Sequence, residues 1–259
     1  MKKNSKFESV IYKLLGKLVK DISKNVLTYT PQLYYIEKES RDTVPKPIAT
    51  SILYTSGVNY YLITAKHAFN HEEEWEIGIL IRNIFYSLEG IKYSSDDNNI
   101  DLVVYHLTDR LKDTLKPYYQ FLNLNQSDTN HLFIKERYTR YLQAGFPINR
   151  TSLKKHTKTI SVNPFILLSD IYTTTNEHAY INLPKIKKSF LNNIPIRTLP
   201  VLTGLSGSGL WYISNFYNKK FKLVGIMIEW DDIDKKYTKA TKISFVINLI
   251  KTIETKIIN

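Results

Sequence analysis

Gly204-Leu205-Ser206-Gly207-Ser208-Gly209-Leu210-Trp211 sets two serines among three glycines and closes on an apolar pair. Glycine has no Cβ and takes positive φ freely, so such a run turns tightly and leaves backbone N–H groups facing outward. A nucleophilic serine needs both properties: a hydroxyl held on a sharp turn, and N–H groups aimed at a developing oxyanion. A plain surface turn has the same composition, so the stretch must be weighed against the rest of the chain.

The chain has 259 residues, enough for one large domain or two small ones. Hydrophobic residues make up 43% and charged residues 23%, the balance of a globular protein. The absence of cysteine excludes disulfides, thiolate metal sites and a cysteine nucleophile, and it fits a reducing compartment. The basic start, Met1-Lys2-Lys3-Asn4-Ser5-Lys6, runs into an amphipathic stretch with no small-residue cleavage site. With no long apolar run either, a cytoplasmic location is the expectation. A net charge of +12 favours anionic partners, although the lysines are scattered rather than gathered into one motif.

The spacing of Val10, Ile11, Leu14, Leu15, Leu18, Val19 and Ile22 predicts a helix over 7–27, with lysines mainly on its other side. Such a helix either packs on the body of the protein or docks on a membrane surface or partner. After Pro45 and Pro47 the pattern becomes β: 48–54 and 58–64 are joined at Ser56-Gly57 as a hairpin. Further strands are expected at 76–85, 101–107, 141–146, 162–168, 180–183, 209–214, 223–229 and 242–246. A series of short strands with turn-rich spacing predicts an all-β sandwich or barrels, closed by a helix over 246–258. The expected organisation is a helical extension over 1–44, a first barrel over 45–125 and a second over 135–245.

A serine nucleophile needs a base, and the base needs a group to hold its tautomer. The six histidines, His67, His71, His106, His131, His156 and His178, all precede Ser206. An α/β-hydrolase requires its histidine after the serine, so that architecture is excluded. His67 is the best candidate base, because it follows an apolar strand and is flanked by small Ala65 and Ala68. His71 leads into Glu72-Glu73-Glu74 and reads as solvated loop, while His106 lies inside a strand. Asp101, at the entrance of the apolar run Leu102-Val103-Val104, needs a hydrogen-bonding partner, and the His67 imidazole would supply it.

Together, Leu62-Ile63-Thr64-Ala65-Lys66-His67-Ala68-Phe69, Asn98-Asn99-Ile100-Asp101-Leu102-Val103-Val104-Tyr105 and the Gly204 stretch resemble the trypsin/chymotrypsin-like serine peptidases. They resemble that family's T-A-x-H, aspartate-strand and G-x-S-G segments and occur in its order, with Lys66 where a small residue is usual. Tyr141-Leu142-Gln143-Ala144-Gly145-Phe146-Pro147 is similar to a G-[YF]-P strand of many bacterial members. The resemblance implies two packed six-stranded antiparallel barrels and a metal- and cofactor-free serine endopeptidase. It places the nucleophile at Ser206, the general base at His67 and the orienting carboxylate at Asp101. The N–H groups of Gly204 and Ser206 become the oxyanion hole, and Ser208 is the rival nucleophile. Pro200 on one side and Ile228, Glu229 and Trp230 on the other become the walls of the substrate pocket.

Leu205 stands where secreted digestive members carry an aspartate that pairs with a newly cut N-terminus, so activation by that route is not expected. Small intracellular members of this kind serve regulatory or antiviral-defence pathways, which makes a specific protein substrate and an activating partner the expectation. Two other readings stay open. One is a catalytically silent relative that binds peptide in the same cleft. The other is a basic nucleic-acid-binding β protein, for which the 19 tyrosines and the positive charge speak, without a recognisable nucleic-acid motif.

Overall fold

The computed structural model describes the chain except residues 1–3, 40–43, 96, 98, 135–139, 155–158, 184–188, 192–193, 196–200, 216–217, 232, 235 and 259. For 4–15, 153–154, 159, 189–191, 194–195 and 258 it describes the backbone alone.

Period-two patterning explains the first body. The runs Ile52–Thr55, Tyr60–Ala65 and Leu102–Leu107 are apolar at nearly every position, which a strand tolerates only when both faces are covered. Leu53, Leu62 and Val103 point into a core shared with Leu33, Ala49, Ile77 and Ile79. Their neighbours Ile52, Tyr54, Tyr61, Ile63, Leu102 and Val104 belong to a second core, shared with both terminal helices and the rest of the molecule. These three strands are the middle of a five-stranded sheet edged by Gly90–Ser94 and Leu122–Asn123. The opposing four-stranded sheet runs Lys46–Thr50, Gln32–Glu37, Trp75–Ile81, Ile84–Ser87.

The second body is a nine-stranded sheet. Its centre is Tyr141–Gly145, Gly209–Asn215, Lys220–Trp230 and Tyr237–Lys242. Ile171–Thr174 and His178–Asn182 lie beyond one side; Phe165–Ser169 and two short strands lie beyond the other. A separate hairpin pairs Thr151–Lys154 with Thr159–Val162. The all-β architecture with a C-terminal helix expected from sequence is observed, its strands grouped in four-, five-, nine- and two-stranded sheets.

Several boundaries differ from expectation, among them the strand expected over 48–54, which is broken at Ser51 between the two sheets of the first body. The segment 1–44 is not wholly helical: Gln32–Glu37 pairs with Lys46–Thr50 and Trp75–Ile81 inside the first body. The single strand expected over 76–85 is a hairpin, folded at Arg82 and Asn83, both with positive φ. Residues 242–246 are not a strand, because the chain leaves Tyr237–Lys242 directly into the helix Ile243–Ile258. A short helix, Asp109–Leu115, was not expected; Thr108 caps it by accepting from the Leu111 N–H, and Leu111 and Leu115 bury one face.

The N-terminal helix spans Asn4–Leu27. Val10, Ile11, Leu14 and Leu15 of its expected apolar face have no described side chains, but Val19, Ile22 and Val26 are fully buried. They share a core with Tyr29, Leu142, Trp211 and Ile213, while Lys17, Lys20 and Lys24 are exposed. The helix is therefore packed scaffold from Val19 onward. Among the described residues no helix is long and apolar enough to cross a membrane. Truncating Ile22→Ala should cost about 2–5 kcal/mol of stability in urea denaturation, through lost burial and the cavity left against Trp211 and its neighbours. A change below half a kcal/mol would show the helix to be loosely docked.

Candidate active site

Strand register brings His67 and Asp101 together. Tyr60–Ala65 and Leu102–Leu107 are antiparallel with Ala65 opposite Leu102, so the chain leaving one strand meets the chain entering the other. His67 sits in a single 3₁₀ turn, Lys66–Phe69, and its Nδ1 lies 2.7 Å from Asp101 Oδ2. The His67 N–H donates to Asp101 Oδ1 at 3.0 Å, and the Lys66 N–H donates to the Asp101 carbonyl at 3.0 Å. A carboxylate only accepts, so Nδ1 carries the proton, and in the neutral ring Nε2 is left with its lone pair. Asp101 has φ +44°, a left-handed conformation uncommon for a non-glycine residue, though aspartate tolerates it better than most. Here that conformation lets one residue accept from a ring and two successive backbone amides.

The glycine stretch docks on the same strand end. Gly207 has φ +86°, and a Cβ there would lie 1.9 Å from the Thr50 carbonyl oxygen and 2.1 Å from Thr64 Oγ1. Thr64 is three residues before His67, so this close approach sets the serine turn beside the imidazole. Thr50, wholly buried, ties the pieces together. Its N–H donates to the Ser206 carbonyl (2.9 Å) and its hydroxyl donates to the Gly204 carbonyl (2.8 Å). That hydroxyl also accepts from the Phe146 N–H (3.0 Å), and the Thr50 carbonyl accepts from Thr64 Oγ1 (2.7 Å).

Within the turn, the amides divide into two groups. Leu205 N–H donates to the Leu202 carbonyl, Gly207 N–H to Met227 and Ser208 N–H to Leu205. The N–H groups of Gly204 and Ser206 have no acceptor among the described residues. Gly204 itself has φ +89°. Among the described residues these two amides, on either side of Leu205 in a left-handed glycine turn, are free to donate to an anion.

The two serines differ sharply. Ser206 is half-exposed, and its hydroxyl has no hydrogen-bond partner among the described residues, so its link to His67 is not formed in this structure. Ser208 is fully buried, with Oγ 3.8 Å from Met227 Sδ. Leu205 is also fully buried, among Phe165, Leu167, Leu183, Leu202 and Met227.

The expected pocket walls are less complete. Pro200 lies outside the described residues. Ile228 is buried and Trp230 packs half-buried on the Leu205 cluster. Glu229 is exposed with Lys239 Nζ at 3.4 Å, and the Asp231 carboxylate accepts from the Asp234 and Lys236 amides. Of the other histidines, His106 stands in its strand against the Tyr61 ring and His71 against Trp75. His131 is held between Tyr141 and Asp128. Among the described residues no group of three or more acidic or imidazole side chains could hold a metal ion.

Sequence reading missed Thr50, His178 and Thr241. His178 Nε2 donates to the Asn99 carbonyl at 2.9 Å and Thr241 Oγ1 donates to the Ile100 carbonyl at 2.8 Å. None of the three carried a local sequence signal.

No family model matches the chain. No curated protein matches it. Solved structures do: the serine endoprotease of Yersinia pestis aligns with a TM-score of 0.53 at 14% identity. That alignment covers 90% of this chain and 65% of the Yersinia chain, so this chain spans just under two thirds of that protein's length. The active form of the Rv3671c protease of M. tuberculosis aligns at 10% identity and a TM-score of 0.48, covering 89% and 82% of the two chains. The fold is that of a trypsin-like serine peptidase.

Two predictions follow from this geometry. Gly207→Ala forces a Cβ into the Thr50 carbonyl at positive φ and should destabilise the protein by about 2 kcal/mol or more in urea denaturation. An unchanged midpoint would refute the close docking. Burial, then the Lys239 charge, hold the His178 imidazole below its ordinary 6.5, with the hydrogen bond to the Asn99 carbonyl, Glu177 and Asp97 opposing. The unfolded chain therefore binds that proton more readily, and the stability this neutral ring contributes is present above about pH 6.5 and lost as pH falls further. Melting temperature should drop more between about pH 7.5 and about pH 5.5 in the wild type than in His178→Gln; equal slopes would refute it.

Proposed function

We propose that this protein is a serine endopeptidase that cleaves a specific protein substrate through an acyl-enzyme. The observation that carries the reading is the His67–Asp101 pair at 2.7 Å, beside a serine turn whose Gly204 and Ser206 amides have no acceptor among the described residues. In the first step Ser206 Oγ attacks the scissile carbonyl while its proton passes to His67 Nε2. The carbonyl oxygen, now negative, accepts from the Gly204 and Ser206 N–H groups. Collapse of the tetrahedral intermediate expels the amine, which takes the proton from His67 and leaves Ser206 acylated. Water then attacks the ester with His67 as base again, releasing the carboxylic acid and restoring the serine.

Asp101 keeps the imidazole in the tautomer this cycle needs. Ser208 is not the nucleophile in this scheme, because a buried hydroxyl against Met227 meets no substrate. Leu205, sealed in an apolar cluster, provides no carboxylate for a freed N-terminus to pair with. Either the site is preformed or a partner or the N-terminal helix orders it, and the latter fits a regulatory or defence protease acting in the cytoplasm. The exposed Glu229 is already paired with Lys239 and Asp231 closes its own turn, which favours an apolar or small side chain over a basic one at the cleavage site.

A second reading, a silent peptide-binding relative, is favoured by one observation: the Ser206 hydroxyl does not engage His67. Labelling with a fluorophosphonate probe separates the two. Wild type and Ser208→Ala should label, Ser206→Ala should not, and Asp101→Asn should slow labelling by on the order of 10³–10⁴-fold. Labelling that survives Ser206→Ala, or a wild type that never reacts even with candidate partners added, sinks the peptidase reading.

A further inference from the structure

Asp101 sits at positive φ, an uncommon conformation for a residue with a side chain, and the first body holds only part of the loop that carries it. Within the loop, the Asn99 N–H donates to Asp97 Oδ1 (2.8 Å) and the Ile100 N–H to the Asp97 carbonyl (3.1 Å). The remaining grip comes from the other body. His178 and Thr241 are directly opposite each other in the ladder between His178–Asn182 and Tyr237–Lys242. From that one register pair, His178 Nε2 donates to the Asn99 carbonyl and Thr241 Oγ1 to the Ile100 carbonyl, the two peptides just before Asp101. Both side chains are buried, and Ile100 itself is sealed in the core shared by the two bodies.

Successive carbonyls of a strand or loop point in different directions, so one bond leaves a peptide free to rotate about the other. Two bonds from a rigid ladder to adjacent carbonyls fix both the position and the rotation of the chain entering Asp101. The aspartate must hold its oxygen toward His67 Nδ1 at positive φ, where small rotations of the preceding peptide would move the carboxylate away.

We propose that His178 and Thr241 form a two-pronged clamp through which the second body positions Asp101, and so His67, for catalysis. They are positioning residues: neither touches the reacting atoms, and the second body, which already supplies Ser206, thereby also sets the geometry of the base. This inference rests on the serine-peptidase reading for its chemical consequence, but the clamp itself does not.

The test is a double-mutant cycle on the rate of fluorophosphonate labelling. His178→Phe keeps a planar ring and removes the donor; it should slow labelling on the order of 10–100-fold, as a misplaced base would. His178→Gln returns an N–H at similar reach and should label within about threefold of wild type. In an Asp101→Asn background, where the carboxylate is already lost, His178→Phe should change the rate less than about twofold. Thr241→Val should reproduce the loss and the non-additivity, and it stands in if His178→Phe does not fold. Full-speed labelling of both single variants, or the same fold loss in the Asp101→Asn background, overturns the proposal. If the wild type is not labelled, the peptidase reading fails instead, and hydrogen exchange over 97–101 decides the clamp. Faster exchange in His178→Phe and Thr241→Val supports it, and unchanged exchange in both overturns it.

Discussion

Thr50 is where the two bodies become one molecule. It ends the strand Lys46–Thr50, one residue before the chain turns into the opposing sheet, and it is wholly buried. A buried amide, carbonyl or hydroxyl left without a partner costs about 1–3 kcal/mol, so such a residue is stable only if every polar atom is matched. All of them are, and three of the four partners are the Ser206 carbonyl, the Gly204 carbonyl and the Phe146 amide of the second body. The fourth, Thr64 Oγ1, belongs to the strand that delivers His67. One threonine thus holds a fixed distance between the turn that presents the serine and the strand end that presents the imidazole. The glycine at 207 follows as a steric necessity, since the space a side chain would need is the Thr50 carbonyl itself.

Much of this was legible in the chain before any coordinates, and the parts that were not share a cause. Leu102-Val103-Val104 and Tyr61-Leu62-Ile63 read as apolar strands because their residues are apolar at every position. Once they pair, the meeting of His67 with Asp101 follows from where each run ends. The hairpin at Arg82 and Asn83 was hidden because neither residue is glycine, although both take positive φ. The helix over Asp109–Leu115 left only a threonine cap and two leucines four apart, which a strand-rich surrounding outweighed. Thr50, His178 and Thr241 were invisible for a different reason. Each acts through a bond to a backbone atom distant in sequence, and no local pattern marks a side chain whose partner is a carbonyl.

The terminal helices share a task that their distance in sequence conceals. Val19, Ile22 and Val26 of the first and Val246, Ile247, Ile250 and Ile253 of the last enter one core with strands of both bodies. Within it lie Tyr61, Leu102 and Val104 from one side and Trp211, Ile226 and Ile228 from the other. The Tyr61 hydroxyl donates to Glu254 (3.1 Å), and Lys219 pairs with Asp21 (2.9 Å), so each helix also carries a polar tie to a different body. The alignment that Thr50 sets locally is thereby backed by apolar burial over a wider surface.

Leu205 carries a consequence of another kind. A turn anchored by an ion pair answers to ionic strength and to the titration of both partners. This one is anchored by a buried leucine among Phe165, Leu167, Leu202 and Met227, with no charge to screen. Burial of apolar surface is nearly athermal at room temperature and weakens on cooling, with a large heat-capacity change. The share of the turn's anchoring that Leu205 contributes is therefore indifferent to salt and weakens on cooling, beside the Thr50 hydrogen bonds that hold the same turn.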